Sequence, residues 1–270
     1  MIPLKRFGQN FLIDKNILNE IISRGSLSEN DTVLEIGPGH GVLTRALLNQ
    51  KIKYLHAVEL DERLKPELEN LSAENKSFCL HWGDAVKFDF SKLEPFPDKI
   101  IANIPYNITT PLIWNLLKYS EKGLRYHLYM LQKEAALRIT APPDTKARYP
   151  LGVAIEVMGR ASIVKNVSRT CFRPVPKVDS ALVEIVLEKN FELASDLLWA
   201  EILHAGFSHR RKTLINNFKS ADKFSEIKLS DWSEIFAMSE INENIRAEDL
   251  SCDEWLKIYN SFRKISTEKN

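Results

Sequence analysis

Short apolar segments alternate with segments of helical periodicity over the first two-thirds of the chain. Apolar positions recur every three to four residues in segments such as Val42–Leu48, which predicts helices. Compact apolar or β-branched segments predict seven strands, at residues 32–36, 53–58, 78–82, 98–102, 125–131, 155–158 and 180–187. Because strands separated by helix-length segments form parallel sheets, the pattern predicts an α/β fold with a seven-stranded, mostly parallel sheet.

The pattern changes near residue 190. From residue 193 to residue 262 the apolar positions follow a helical period, and no β-branched segment of strand length remains. We therefore predict two domains, an α/β domain over residues 1–189 and a small all-helical domain over residues 190–270.

Three successive predicted strands end in residue types that suit a nucleoside. The first leads into a glycine-rich turn that contains Gly37 and Gly39, where the backbone can approach a ligand closely. The second ends in Glu59, whose carboxylate can accept from ribose hydroxyls, and the third ends in Asp84, placed to accept from an adenine amine. This pattern is typical of S-adenosylmethionine-dependent methyltransferases, and a dinucleotide site for NAD is the alternative.

The fourth predicted strand leads into the sequence Asn103-Ile104-Pro105-Tyr106. The exocyclic amine of adenine is a weak nucleophile, and acceptors that hold its hydrogens favour methyl transfer to it. The side-chain oxygen of Asn103 and the carbonyl of Ile104 are such acceptors, and Pro105 imposes an extended turn. Tyr106 can stack on a base that has been flipped out of its helix. The segment therefore predicts nitrogen methylation, with a tight turn and a core tyrosine as the structural alternative.

The composition excludes several classes of protein but does not indicate a function. No segment of about 18 apolar residues predicts a membrane span, and the first ten residues lack the apolar core of a signal peptide. Cys79, Cys171 and Cys252 lie far apart without a Cys-x-x-Cys pair, and the six histidines show no metal-ligand spacing. We expect a soluble, cytoplasmic protein without disulfides and without a metal site.

Eight segments, in order along the chain, resemble the ribosomal RNA adenine N6-dimethyltransferase family. They are residues 7–12, 34–39, 58–61, 83–85, 103–108, 172–181, 207–214 and 246–251. The resemblance spans nearly the whole chain and implies a Rossmann-like S-adenosylmethionine methyltransferase domain followed by a helical domain. It implies that Asn10 and Leu12 close over the cofactor, that Gly37, Glu59, Asp84 and Asn103 contact it, and that Tyr106 and Phe172 enclose the target adenine.

The family has two arms that differ in substrate. Segments 172–181 and 246–251 are similar to the small-subunit arm, which dimethylates two adjacent adenosines in a hairpin loop near the 3′ end of 16S ribosomal RNA. Ile104 departs from the leucine common in that arm and is frequent in the macrolide-resistance arm, which methylates a large-subunit (23S) adenine. A non-catalytic assembly or transcription factor on the same fold is a further alternative.

Basic residues are concentrated although the formal net charge is only +1, from 37 Lys and Arg against 36 Asp and Glu. Two clusters stand out: Lys165, Arg169, Arg173 and Lys177, in a segment without acidic residues, and the consecutive Arg210, Arg211 and Lys212. Because basic clusters neutralise phosphates, we predict that these seven residues bind RNA. The expected partners are small-subunit ribosomal RNA and the assembling 30S subunit, and the protein is expected to be a monomer.

Overall fold

The computed structural model describes residues 10–225 and 227–268. Within them, nine strands lie at Phe11–Leu12 (β1), Thr32–Ile36 (β2), Tyr54–Glu59 (β3), Phe78–Trp82 (β4), Lys99–Asn103 (β5), Tyr126–Gln132 (β6), Gly159–Val167 (β7), Phe172–Arg173 (β8) and Ser180–Leu187 (β9). The helices lie at Lys15–Arg24 (α1), Val42–Leu48 (α2), Lys65–Glu74 (α3), Thr109–Leu117 (α4), Lys133–Ile139 (α5), Pro150–Met158 (α6), Leu197–Gly206 (α7), Leu214–Lys219 (α8), Leu229–Ser239 (α9) and Cys252–Glu268 (α10). None of the helices in these ranges is long and apolar enough to cross a membrane.

Seven strands form one sheet in the order β4-β3-β2-β5-β6-β9-β7. Strands β2 to β6 pair in parallel, and β9 pairs antiparallel with β6. All five residues of β2 are buried, as expected for a central parallel strand covered on both faces. The strand order reverses between β2 and β5, and in such sheets a ligand binds at the carboxyl ends of the strands beside the reversal. The predicted α/β sheet is confirmed.

One predicted strand is wrong. Residues 155–158 lie in α6, and the seventh strand is β7, at Gly159–Val167. Eight of the nine residues of α6 are buried, so its apolar side chains surround the helix and show no helical period. A short apolar segment of this kind is ambiguous between a helix and a strand. Strand β7 is an edge strand of the sheet. Its half-exposed positions carry polar residues, so its sequence lacks the apolar segment that would predict a strand.

The chain divides into two compact units whose limits differ from the predicted domains. The first unit runs to Ala136 and resumes over Ala161–Leu187, and the second contains Leu137–Arg160 and the chain from Glu188 onward. The boundary expected near residue 190 lies close to Glu188, where the chain enters the second unit for the last time, and Leu137–Arg160 groups with the helices of that unit. In the second unit, α6 packs against α7 and α10, and these contacts explain why Leu137–Arg160 groups with the helices.

Candidate functional site

An open cavity of about 780 Å³ lies in the first unit at the carboxyl ends of β2, β3, β4 and β5. It is lined by Asn10 and Phe11, by residues at the ends of the four strands, and by residues 104–108. The predicted cofactor residues Asn10, Gly37, Gly39, Glu59, Asp84 and Asn103 therefore lie around one cavity, together with Tyr106.

The glycine-rich turn after β2 brings the backbone to the cavity wall. Gly37 and Gly39 have φ values of +67° and +56°, in the region that favours glycine. A Cβ atom on Gly39 would lie 2.8 Å from the ring of Phe11, so no other residue fits there without displacing that ring. The Gly37 N–H donates to the Val58 carbonyl at 2.9 Å, which holds the turn beside the end of β3.

Glu59 is held by three backbone N–H groups. Its Oε1 accepts from Leu60 and Asp61, at 2.8 Å each, and its Oε2 accepts from Gly39 at 3.2 Å. Burial raises the pKa of Glu59, and the backbone N–H groups of Asp61, Gly39 and Leu60 act in the opposite direction. A carboxylate offers about four acceptor sites, so about one remains free on the side of Oε2.

Two other carboxyl groups have different environments. Asp84 lines the cavity, and its Oδ1 accepts from the Val86 N–H at 3.0 Å. Glu35, one residue before the end of β2, is fully buried, and its Oε2 has no hydrogen-bond partner within residues 10–225 and 227–268. Desolvation, with a smaller contribution from Glu59, raises the pKa of Glu35 to about 8. Glu35 therefore tends to hold a proton at neutral pH.

Asn103 is fixed from the other side of the cavity. Its Nδ2 donates to the carbonyl of Asn10 at 3.0 Å. This bond uses the donor end of the amide, which leaves Oδ1 as the end that can accept a hydrogen from a ligand. Asn10 thus reaches the site through its backbone, which sequence reasoning did not predict.

Tyr106 lies in a short 3-10 turn directly after Pro105. Its hydroxyl is 2.7 Å from the Oγ of Ser180, at the start of β9, and Ser180 is fully buried. Burial raises the pKa of Tyr106 above its usual value of 10, with a smaller opposing effect from Ser180. The phenol therefore stays protonated at neutral pH, which suits a ring that stacks rather than one that takes a proton. Sequence reasoning missed Ser180, because nothing local links it to Tyr106.

Two predicted site residues lie elsewhere. Phe172 is fully buried in the hydrophobic core, and Leu12, directly opposite it in the β1-β8 pair, belongs to the same cluster. Neither lines the cavity, so the expected stacking of Phe172 on the target base stays a prediction, and it would require the ring to leave the core. Side chains alternate along a strand, and it is therefore Phe11 that faces the cavity instead of Leu12. Residues 7–9 of the first family segment lie outside the described residues.

The seven predicted RNA-binding residues are all exposed. In the first unit these are Lys165, Arg169, Arg173 and Lys177. In the second unit, Arg210, Arg211 and Lys212 line an open surface depression with His209. Arg210 is 3.7 Å from Glu248, so its charge is partly neutralised. Asn217 is buried and donates to the carbonyl of His209 at 3.1 Å, which holds this loop in place.

The cavity fits the adenosine part of S-adenosylmethionine. Gly37 and Gly39 expose their backbone at the cavity wall because they carry no side chain, and Glu59 and Asp84 supply acceptors on neighbouring strand ends. The turn carries the pattern Gly-x-Gly-x-Gly instead of the Gly-x-Gly-x-x-Gly of dinucleotide sites, which argues against a dinucleotide.

Comparison with known proteins gives a consistent result. The sequence profile of the family described as ribosomal RNA adenine dimethylase matches residues 4–264. A Lactococcus lactis protein named ribosomal RNA small subunit methyltransferase A is 39% identical over 262 residues, 94% of this chain and 88% of the relative. A Nitrosospira multiformis protein of the same name is 37% identical, with 97% of each chain covered.

Solved structures share the fold. A dimethyladenosine transferase from Plasmodium falciparum superposes with a TM-score of 0.78 and 27% identity, over 95% of this chain and 98% of that one. The 23S rRNA methyltransferase ErmE superposes with a TM-score of 0.66 over 94% of this chain and 100% of that one. At 20% identity the second likeness shows the fold alone.

Proposed function

Since the chain belongs to the ribosomal RNA adenine dimethylase family, we propose that it dimethylates adenosines of small-subunit ribosomal RNA at the cavity described above. It is a methyltransferase that uses S-adenosylmethionine. The proposed targets are two adjacent adenosines in a hairpin loop near the 3′ end of the 16S RNA, and the modified atom is the exocyclic N6 of each.

The cofactor is held mainly through backbone shape and two carboxyl groups. We assign Gly37 and Gly39 to the close backbone approach, the remaining acceptor site of Glu59 to a ribose hydroxyl, and Asp84 to the adenine amine. Asn10 closes the cavity from the side of β1. When bound, S-adenosylmethionine supplies a methyl group on a positively charged sulfur, which leaves as a neutral thioether.

The protein orients the target amine rather than deprotonating it in advance. Asn103 Oδ1 and the carbonyl of Ile104 accept its two hydrogens, so that the nitrogen lone pair is free to attack the methyl group. Tyr106 stacks on the flipped base and fixes its plane. No lysine or histidine lines the described cavity as a general base, and the proton of the product amine passes to solvent.

The single observation that carries the proposal is the bond between Asn103 Nδ2 and the Asn10 carbonyl. This bond leaves Asn103 Oδ1 to accept a hydrogen bond inside the cavity, and the other residues that line the cavity suit adenosine. A non-catalytic factor on the same fold would not need a fixed acceptor at this point.

The RNA surface and the cellular setting are further parts of the proposal. The exposed basic residues named above contact phosphates of the small-subunit RNA, and the helical unit contributes the cluster Arg210, Arg211 and Lys212. We propose that the protein acts in the cytoplasm, as a monomer, on the 30S subunit during its assembly.

Small-subunit RNA is favoured over large-subunit RNA by the relatives. The Lactococcus and Nitrosospira proteins both carry the small-subunit name at 37–39% identity, whereas the likeness to ErmE is one of fold. Ile104 does not alter this choice, since only its backbone carbonyl is assigned a role.

Primer extension on both ribosomal RNAs from cells that lack the gene tests the proposal. Loss of the stops at two adjacent adenosines of the 16S hairpin, restored by the wild-type gene, is the expected result. Loss of methylation on 23S RNA with the 16S positions intact would instead assign the chain to the resistance type.

A further inference from the structure

Three side chains with metal-binding atoms converge on β3 and β4, away from the residues assigned to methyl transfer. They are His56 on β3 and Cys79 and His81 on β4. One donor atom of each lies within 4.8 Å of the donor atoms of the other two, and this is the only such group of three among the described residues.

The sheet register explains why these residues meet. His56 lies directly opposite Cys79 in the parallel β3-β4 pair, so both side chains project from the same face of the sheet. His81 is two residues beyond Cys79, and residues two apart on a strand share a face. The three positions are scattered in the sequence, and only the pairing of β3 with β4 brings them together.

A backbone carbonyl fixes the protonation pattern of His56. Its Nε2 lies 2.9 Å from the carbonyl oxygen of Pro95, which can only accept, so Nε2 carries the proton. The other ring nitrogen, Nδ1, therefore presents a lone pair, and it lies 3.0 Å from Nε2 of His81. Metal-binding histidines commonly donate their second ring N–H to a backbone carbonyl in this way, which orients the ring toward the metal.

The distance between the two imidazole nitrogens is close to the one that a zinc ion requires. With Zn–N bonds of about 2.0–2.1 Å, two nitrogens of a tetrahedral site lie about 3.3 Å apart. The separation of 3.0 Å between the two imidazoles needs to widen by only a few tenths of an ångström. Imidazole and thiolate are the ligands that zinc prefers in proteins.

We propose that His56 Nδ1, Cys79 Sγ and His81 Nε2 bind one zinc ion, with a fourth position open to water. Binding replaces the hydrogen bond between the two imidazoles: the proton on His81 Nε2 moves to Nδ1 of the same ring, and the thiol proton of Cys79 is released to solvent. His56 is buried and the other two are half-buried, so the ion can enter from the side of β4, which is an edge strand of the sheet. The ion joins β3 to β4 and stabilises the folded protein through its binding to the native state alone.

Titration of the purified, chelator-treated full-length protein with Co²⁺ tests this site. Cobalt bound to a thiolate gives an intense near-ultraviolet charge-transfer band, and a tetrahedral site gives visible d–d bands. We expect both to saturate at one equivalent for the wild-type protein and to be displaced by Zn²⁺. Cys79→Ser should abolish the charge-transfer band, and His81→Gln should weaken binding at least tenfold. Cys171→Ser is the matched control, because Cys171 is also a half-buried free cysteine of the first unit, and it should leave the titration unchanged.

A melting experiment provides the second measurement. One equivalent of Zn²⁺ should raise the melting temperature of the wild-type and Cys171→Ser proteins, and a chelator should reverse the rise. Cys79→Ser should fold with an unchanged metal-free melting temperature and show no rise with Zn²⁺. The proposal is overturned if cobalt gives no charge-transfer band, or if the band survives in Cys79→Ser. Methylation activity is not part of the readout, so failure here leaves the proposed function intact.

Discussion

Asn103 and Tyr106 are both oriented by residues from distant parts of the chain. Asn10 accepts from the side chain of Asn103, and Ser180 bonds to the hydroxyl of Tyr106, across 93 and 74 positions of sequence. The proposed catalytic segment is thus placed by β5, but its side chains take their direction from Asn10, directly before β1, and from Ser180 in β9. At the residue scale, preorganisation of this kind is what converts a turn into a site that can hold a base.

Variants of Tyr106 separate stacking from hydrogen bonding. Tyr106→Phe keeps the ring and loses only the bond to Ser180, so we expect kcat/KM on under-methylated small subunits to fall by less than about tenfold. Tyr106→Ala removes the stacking surface, and the expected loss is about 10- to 100-fold, since stacking contributes about 1–3 kcal/mol per base. Equal activity of Tyr106→Ala and the wild-type protein in steady-state methyl transfer would rule out a stacking role.

Glu35 makes stability depend on pH. Its pKa is about 8 in the folded protein and near 4.5 in the unfolded chain, so the folded state binds more protons between these values. For Glu35 alone, the free energy of unfolding is therefore highest at or below about pH 4.5, and it falls as the pH rises toward 8. We expect the melting temperature of the wild-type protein to drop between pH 6 and pH 9, and Glu35→Gln to lessen that drop.

The slope, and not the melting temperature at one pH, is the quantity to compare. Glutamine introduces a buried amide that can lower stability at every pH without affecting the slope. Identical pH slopes for Glu35→Gln and the wild-type protein in calorimetric melts would show that Glu35 does not titrate in this range.

The sequence alone predicts which residues gather at the strand ends, but it does not predict the contacts that depend on strand pairing. Gly37, Glu59, Asp84 and Asn103 follow successive parallel strands, and the carboxyl ends of such strands meet by construction. Phe172 was expected at the target base, but its strand pairs with β1 and turns the ring into the core. Nothing in its local sequence reveals that pairing.

At the element scale, α6 and β7 are the elements that the pattern of hydrophobic and polar positions did not predict. Every residue of helix α6 except Glu156 is buried, so the helix lacks the apolar period that would have identified it. Strand β9 was predicted with the observed limits, since its largely apolar segment, interrupted only by Glu184, is bounded by polar residues. Elements with one exposed face, or with clear ends, are the ones that a single sequence specifies.

Gly152 tests the packing of α6. A Cβ atom at this position would lie 2.7 Å from the carbonyl oxygen of Arg138 and 3.0 Å from that of Ile139. Gly152→Ala gains about 1 kcal/mol in helix propensity, but overpacking against backbone costs about 1–3 kcal/mol. We expect a net destabilisation, seen as a lower midpoint in urea.

Gly83→Ala is the matched control for that comparison. Its Cβ atom would make only an ordinary contact of 3.7 Å with Phe88, and the backbone there is not left-handed. Its urea midpoint should remain near that of the wild-type protein. If Gly152→Ala is as stable as Gly83→Ala, the packing between α5 and α6 adjusts to the added methyl group despite the short distance to the backbone carbonyls.

At the scale of the whole molecule, the near-zero net charge conceals segregated basic surfaces. The first unit carries exposed Lys165, Arg169, Arg173 and Lys177, and the second carries the arginine-rich loop that follows α7. The sequence predicted these clusters, but it predicted a single boundary between the two domains, near residue 190. The chain instead leaves the first unit near Ala136 and returns near Ala161, a path that only tertiary packing determines.

The loop after α7 makes a quantitative prediction for RNA binding. Arg211 and Lys212 are exposed, so the double substitution Arg211→Ala with Lys212→Ala removes two phosphate contacts without disturbing the core. We expect weaker binding to small-subunit RNA at 100 mM salt and a plot of log affinity against log salt whose slope is smaller by about one to two. Lys219→Ala with Lys264→Ala, two exposed lysines of the same unit, should leave the slope unchanged. The same loss in both double variants would assign the effect to net charge.

The most direct measurement of the central claim is methyl transfer from radiolabelled S-adenosylmethionine to purified, under-methylated 30S subunits, followed by mapping of the labelled nucleotides. The wild-type protein should incorporate up to four methyl groups per subunit, all as N6,N6-dimethyladenosine at two adjacent positions of the 16S hairpin. Asn103→Ala should lower kcat by on the order of 100-fold or more, since a preorganised polar contact is lost, while Asn49→Ala at the exposed end of α2 should match the wild-type protein. Label on 23S RNA alone, or full activity of Asn103→Ala, would contradict the account.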